Sequence, residues 1–141
     1  NENINFSAIL YLIKSAKYQC EKTIKNMRII HILIDNYLID NVNFTELPLN
    51  QKCKNFSLDI SFICLPDELI KNVEKTLKKF QISINQILSA SYIYKYTSDR
   101  DINFFKMTSK IIDGHNKNEV KLVNKVSKNK GFFVKFFDLF S

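Results

Sequence analysis

Residues 56–64 alternate between apolar and mostly polar side chains, and this pattern restricts the fold more than any other in the sequence. A period of two is typical of a β-strand that buries one face. The apolar positions are Phe56, Leu58, Ile60, Phe62 and Cys64. Pro66 follows two residues after Cys64, with acidic residues after it and lysines near residue 79, which matches the dipole of a helix over residues 66–80. A strand that leads into an amphipathic helix indicates a layered α+β unit.

The preceding segment adds one helix and two strands to this unit. Apolar residues recur at helical spacing over residues 7–26. Residues 28–34 are too β-branched and too few for a helix, so they indicate a buried strand. Asp35 and Asn36 are predicted to turn the chain into a second, weaker strand over residues 37–44.

The predicted unit is completed by a strand over residues 82–94. The helix over residues 66–80 is expected to bury a stripe made of Leu69, Ile70, Val73, Leu77 and Phe80. The sequence therefore predicts an α+β fold over residues 1–96, with two main helices over one small sheet, followed by a helical or irregular basic tail.

The charge is concentrated in this tail. Residues 1–101 contain 13 basic and 11 acidic side chains, whereas residues 102–141 contain 8 and 3. Residues 97–130 are predicted to form a basic connector, with a short helix over residues 102–113 that Gly114 ends. Residues 131–141 are predicted to form a separate amphipathic helix.

Glycines and reactive side chains are too sparse for the common catalytic motifs. The two glycines cannot form a glycine-rich phosphate loop, and the three cysteines have no metal or redox spacing. We expect the cysteines to be small buried hydrophobes in a reducing compartment, and His31 and His115 to be ordinary core or surface residues. No catalytic, cofactor-binding or metal-binding residue is predicted, and no cofactor is expected, so the chain is interpreted as non-enzymatic.

The terminal segment is the predicted binding site. On a helix, its five phenylalanines and one leucine span an arc of about 160°. Such a face, flanked by lysines, suits a helix that lies on an anionic membrane surface, and the alternative is that it packs on the core of the domain. The predicted membrane-binding residues are Lys128, Lys130, Phe132, Phe133, Lys135, Phe136, Phe137, Leu139 and Phe140.

Three segments carry a family resemblance. They are LDISFICLP at 58–66, LIKNVEKTLKK at 69–79 and ISINQILSASY at 82–92. This succession of a strand, a helix and a strand that ends in small residues resembles the SHS2 subdomain of the bacterial cell-division protein FtsA, and the pilus-assembly protein PilM has a comparable subdomain. FtsA also ends in a short amphipathic membrane-targeting helix, to which the KGFF start of the terminal segment at residue 130 is similar.

The resemblance implies a reduced or fragmentary FtsA-like protein without the nucleotide site, because the glycine-rich loops of that actin-like family are absent. Its expected partners are proteins of the division machinery, a second copy of the chain and an anionic membrane surface, at the inner face of the cell membrane. The resemblance thus implies a membrane-peripheral adaptor in cell division. The alternative is a basic RNA-binding or ribosome-associated protein, for which Phe104, Phe105 and Lys106 are candidate contacts.

Overall fold

The computed structural model describes residues 2–48, 51–97, 103–125 and 131–136. These residues form an α+β fold, which confirms the predicted class. The elements in chain order are β1 (Glu2–Asn3), α1 (Phe6–Thr23), β2 (Met27–Ile39), β3 (Val42–Phe44), β4 (Lys52–Cys53), β5 (Phe56–Pro66), α2 (Asp67–Lys78), α3 (Ala90–Tyr94), α4 (Phe104–Ile112), β6 (Glu119–Lys125) and β7 (Gly131–Phe136).

The long strand β2 is the centre of an antiparallel sheet. Strand β5 pairs with it along its whole length, from Met27 opposite Pro66 to Ile39 opposite Phe56. The other edge of β2 is shared by β3 and β6, and β7 pairs with the outer edge of β6. Strands β1 and β4 form a separate two-stranded sheet.

The predicted turn at Asp35 is wrong, because β2 continues through it. The pairing with β5 shifts in register between Ile34 and Asn36, as it does where a β-bulge adds one residue to a strand. The bulge keeps both Ile34 and Tyr37 in the same buried cluster although they are an odd number of residues apart. The chain turns later, at Asp40 and Asn41, whose φ angles of 46° and 69° suit a two-residue hairpin.

Helix α1 covers one face of the sheet. Asn5 caps its first turn by accepting a hydrogen bond from the Ala8 amide, and Ile9 and Ile13 are buried below it. They form one core with Ile32, Ile34, Tyr37 and Val120. The apolar side of β5 packs against the same core, which confirms the strand predicted from its alternation.

Helices α3 and α4 lie against a second core that includes Leu33 of β2. Leu33 stands in the sequence between Ile32 and Ile34, which belong to the first core. The strand predicted over residues 82–94 is wrong: residues 82–89 have no regular structure, and Ala90–Tyr94 is a helix. Ser89 starts this helix, because its hydroxyl accepts a hydrogen bond from the Tyr92 amide. Tyr92 and Ile93 are thereby buried beside α4.

The basic tail contributes to the sheet. The predicted short helix is confirmed as α4, and Gly114 follows it with a φ of 89°. The connector prediction is wrong for Glu119–Lys125, which is β6, and the helix prediction is wrong for Gly131–Phe136, which is β7. The physical reason is that β2 leaves an edge open beside Ile32, where β6 pairs and Val120 is buried. Strand pairing satisfies the backbone of these residues, and it prevails over the helical spacing of their side chains.

Candidate functional site

A buried polar network joins β2, β6 and the start of α3 at the centre of the sheet. His31 of β2 and Glu119 of β6 are 2 % and 4 % exposed, and 2.7 Å separates His31 Nδ1 from Glu119 Oε1. The backbone amide of Ser89 donates to His31 Nε2 at 2.9 Å. Because Nε2 accepts, the imidazole proton resides on Nδ1 and is donated to the Glu119 carboxylate.

Tyr92 extends this network. Its hydroxyl donates to Glu119 Oε2 at 2.9 Å and accepts from Asn116 Nδ2 at 2.9 Å. Burial raises the pKa of Tyr92 well above its ordinary value of 10.0, which keeps the hydroxyl protonated and able to donate. The ring of Tyr92 also contacts that of His31, with centroids 4.6 Å apart.

The network connects a histidine to an acid, but it does not activate a serine. The amide of Ser89, not its hydroxyl, occupies His31 Nε2, and the hydroxyl caps α3 instead. A general base needs the nucleophile's own proton within hydrogen-bonding reach. The arrangement is therefore suited to hold the segment before α3 and the start of β6 against β2. His31 is a core histidine with two partners, which confirms that prediction.

A second buried hydroxyl lies on the opposite side of β2. Tyr37 is fully buried and donates to Asn118 Oδ1 at 3.1 Å, and Asn118 Nδ2 donates to the Thr45 carbonyl at 2.8 Å. Burial raises the pKa of Tyr37 to about 12. These contacts tie the loop before β6 to the chain that follows β3.

Helix α2 presents an exposed apolar surface. Leu69, Val73, Phe80 and Ile82 are 51 %, 43 %, 70 % and 53 % exposed, and we call these four residues the α2 surface. The prediction that this stripe is buried is wrong for Leu69, Val73 and Phe80; Ile70 is buried at 3 %. The helix is amphipathic, but its apolar face has few neighbours within the described part of the chain.

The base of α2 is fixed to β2 by charged side chains. Arg28 Nη2 is 2.7 Å from Asp67 Oδ1 and its Nη1 is 3.2 Å from Glu74 Oε1, while Lys71 Nζ is 2.6 Å from Asp67 Oδ2. Hydrogen bonds from Lys71 and Arg28 hold the pKa of Asp67 below its ordinary value. Arg28 contacts both Asp67 and Glu74, which are about two turns apart, so it connects α2 to the start of β2.

Three aromatic rings form a second cluster, at the junction of α3 and α4, in which Phe104 packs on the second core and the other two rings are exposed. Tyr94 and Phe104 have centroids 4.9 Å apart, and Phe104 and Phe105 have centroids 5.7 Å apart. Tyr94 is 60 % and Phe105 is 79 % exposed. Lys95 and Lys106, next to them in the chain, are exposed as well. We call Tyr94, Phe104 and Phe105 the aromatic platform.

The predicted membrane-binding residues are only partly within the described chain. Phe132, Phe133, Lys135 and Phe136 belong to β7, in which Phe136 pairs with Val120 and Lys135 with Lys121. A strand has a period of two, so the single phenylalanine arc expected for a helix does not exist over Gly131–Phe136. Lys128, Lys130, Phe137, Leu139 and Phe140 lie outside the described residues.

The described residues contain neither a membrane-spanning helix nor a cluster of metal-binding side chains. No described helix is long and apolar enough to cross a membrane. Within the same residues, no group of three or more His, Cys, Asp or Glu side chains is arranged to hold a metal ion.

Comparison with known proteins gave no match to a family model, to a curated protein or to a solved structure. The resemblance to FtsA therefore stays a prediction from the sequence. Among the described residues, the α2 surface and the junction of α3 and α4 both expose large apolar side chains.

Proposed function

We propose that this protein is a non-enzymatic adaptor that binds protein partners, beginning with a second copy of itself, through the α2 surface. The observation that carries the proposal is the exposure of Leu69, Val73, Phe80 and Ile82 on and directly after one helix. Contiguous exposed apolar residues on a small domain are typical of an interaction site. A helix with one apolar face is also a common recognition element.

The surface is supported by a fixed framework. Arg28 joins β2 to both Asp67 and Glu74, and Ile70 is buried below the helix. The orientation of α2 is thus set by the sheet before a partner binds. A preorganised surface loses less conformational entropy on binding than a disordered segment does.

The charges of α2 favour a second copy as the partner. Asp67 and Glu68 lie in its first turn, and Lys75 and Lys78 lie in its last. Two copies of the helix packed antiparallel about a two-fold axis would place the acidic start of each beside the basic end of the other. The apolar residues at positions 69 and 73 would then lie in the centre of the contact.

Sedimentation velocity of the full chain tests this proposal. We expect the protein to be dimeric at high micromolar concentration and the double variant Leu69→Gln/Val73→Gln to be monomeric, because glutamine keeps the helix but removes the apolar contact. Tyr11→Gln is the control, since Tyr11 is 72 % exposed on a different helix. A wild-type protein that is monomeric throughout, or a double variant that associates as strongly as the control, would refute self-association through α2.

A peripheral position at the inner face of a membrane, as in the division machinery, is the second part of the proposal. It is supported by the composition of residues 128–141, which include five phenylalanines and three lysines, and not by a helix over Gly131–Phe136. Self-association would multiply a weak membrane contact. The variant Phe137→Gln/Phe140→Gln should co-sediment with anionic vesicles less than the wild type does. Equal binding by the variant and the wild type would contradict the membrane position but not self-association through α2.

The aromatic platform favours single-stranded RNA as a second candidate. Exposed rings beside Lys95 and Lys106 combine stacking faces with positive charge, which is how unspecific single-strand binding is usually achieved. In a filter-binding assay, Phe105→Ala should reduce the amount of single-stranded RNA that the protein retains. Phe80→Ala is the control and should retain as much RNA as the wild type, because Phe80 is about equally exposed but lies on the α2 surface. A binding constant that does not change with salt would exclude this function.

A further inference from the structure

Two cysteines lie at the same end of the sheet. Cys20 is in the last turns of α1, which ends at Thr23, and Cys64 is in β5, two residues before Pro66. They are 44 positions apart in the sequence. Their local sequences have no recognisable redox spacing, so only the fold brings them together.

The topology accounts for this proximity. Strand β2 begins at Met27, just after α1, and Met27 pairs with Pro66 at the end of β5. The amide of Asp67 donates to the Asn26 carbonyl at 2.9 Å, which fixes the turn between α1 and β2 beside that end. The last turns of α1 therefore return to the part of β5 that contains Cys64.

The side-chain pattern places both thiols between α1 and the sheet. Cys20 continues at helical spacing the stripe of Ile9 and Ile13, which is buried against the first core. Cys64 continues at strand spacing the series of Ile60 and Phe62, which pack on that same core. In keeping with this placement, the Cys20 side chain contributes, after burial, to the raised pKa of the Cys64 thiol.

We propose that Cys20 and Cys64 are a redox-active pair that forms a reversible intramolecular disulfide by exchange with a low-molecular-weight disulfide such as oxidised glutathione. Both cysteines are half-buried, so a small disulfide can reach them. Cys53, in contrast, is buried at 8 % and belongs to β4, in the other sheet. It is not part of the pair.

The exchange takes place in two steps. The thiolate of Cys20 attacks one sulfur of the glutathione disulfide, forms a mixed disulfide and releases one glutathione thiolate, which takes up a proton. The thiolate of Cys64 then attacks the Cys20 sulfur and releases the second glutathione. Two electrons pass to the glutathione disulfide, and the two thiol protons of the protein end on the two glutathione molecules. Burial raises the pKa of the Cys64 thiol, which is why Cys20 is assigned the first attack.

The disulfide would link α1 to the end of β5. It would close a loop that includes the whole β2–β3 hairpin, and a closed loop of this length restricts the unfolded chain. Oxidation should therefore stabilise the fold against urea without requiring any partner. This inference does not depend on the proposed function.

Mass spectrometry of the full chain after equilibration with oxidised glutathione tests the pair. We expect a product lighter by the mass of two hydrogen atoms, a peptide link between Cys20 and Cys64 after digestion, and a urea midpoint above that of the reduced protein. Cys53→Ser should behave in the same way. Cys20→Ser and Cys64→Ser should not form the internal link, and a reductant should reverse it in the wild type.

The link is mapped in the wild-type protein, so the test does not depend on how well the variants fold. The proposal is overturned if native protein keeps all its thiols, if a glutathione adduct accumulates without the internal link, or if the link involves Cys53 or a second chain. It is overturned equally if the linked protein unfolds at a lower urea concentration than the reduced protein, because the two thiols would then have to be strained into contact.

Discussion

Replacing Tyr92 by phenylalanine measures how much the buried polar network stabilises the fold. The substitution keeps the ring, which packs 4.6 Å from the His31 ring and 5.5 Å from the Tyr96 ring. It removes the hydroxyl that donates to Glu119 Oε2 and accepts from Asn116 Nδ2, each at 2.9 Å. The change therefore removes these two hydrogen bonds, the contact of the hydroxyl with the Tyr96 side chain and one buried oxygen atom.

The magnitude follows from what the hydroxyl leaves behind. Glu119 is 4 % exposed, and its carboxylate would lose one of its two side-chain donors without gaining water. A hydrogen bond to a charged group contributes about 1.5–3 kcal/mol. Asn116 is only half-buried and can turn to solvent, so the loss of its hydrogen bond to Tyr92 adds about 0.5 kcal/mol. We expect Tyr92→Phe to lower the free energy of unfolding by about 2–3.5 kcal/mol.

Urea unfolding followed by far-ultraviolet circular dichroism gives this difference directly. The control is Tyr94→Phe, two residues away in the same short helix and 60 % exposed, which should change the free energy by less than about 0.5 kcal/mol. The slope of the free energy of unfolding against urea concentration should be equal in all three proteins, because the substitutions do not change the surface that unfolding exposes. If Tyr92→Phe lowers the free energy of unfolding no more than Tyr94→Phe does, the hydrogen bonds of the Tyr92 hydroxyl do not stabilise the fold.

Two further predictions concern the end of α4 and the base of α2. Gly114→Ala should lower the free energy of unfolding by about 1–2 kcal/mol in the same urea assay, because Gly114 is buried and its φ of 89° disfavours a residue with a Cβ. The control is Ser109→Ala on the exposed side of α4, which should leave the free energy of unfolding nearly unchanged. Asp67→Asn should lose stability at neutral pH, because the charged form of Asp67 pairs with Arg28 and Lys71. The pKa of Asp67 is lowered in the fold, so this stabilisation is present above its ordinary pKa of 3.8 and is lost as the pH falls. The free energies of unfolding of the wild type and of Asp67→Asn should therefore converge in acid. A difference that does not change with pH would contradict the ion pairs.

Local patterns in the sequence were sufficient for the elements that have one buried face. The period of two over residues 56–64 identified β5, and the helical spacing of Ile9 and Ile13 identified α1. The charges around residues 67 and 78 identified α2 within two residues of its ends. Each signal depends only on neighbours in the chain, which is why it can be read without the fold.

Non-local pairing decided the elements that the sequence misassigned. Residues 131–136 have helical spacing of their phenylalanines, but β6 offers them a complete ladder of backbone partners. Asp35 and Asn36 are common turn residues, but β5 pairs on both sides of them and converts the turn into a bulge. Neither β6 nor the full extent of β5 pairing can be inferred from the residues concerned, so their influence on these segments was invisible in the sequence.

The candidate site was missed for a related reason. Amphipathic spacing shows that a helix has an apolar face, but it does not show whether the same chain covers that face. In α1 the sheet covers it, and Ile13 is 0 % exposed; in α2 the sheet covers Ile70 and leaves Leu69 and Val73 in solvent. The difference originates in the chain path, because α2 begins at Asp67, directly after β5, and the Asp67 amide is bound to the Asn26 carbonyl at the end of the sheet. The exposure of Leu69 and Val73 is the reason why we propose that a second copy of the chain covers this surface.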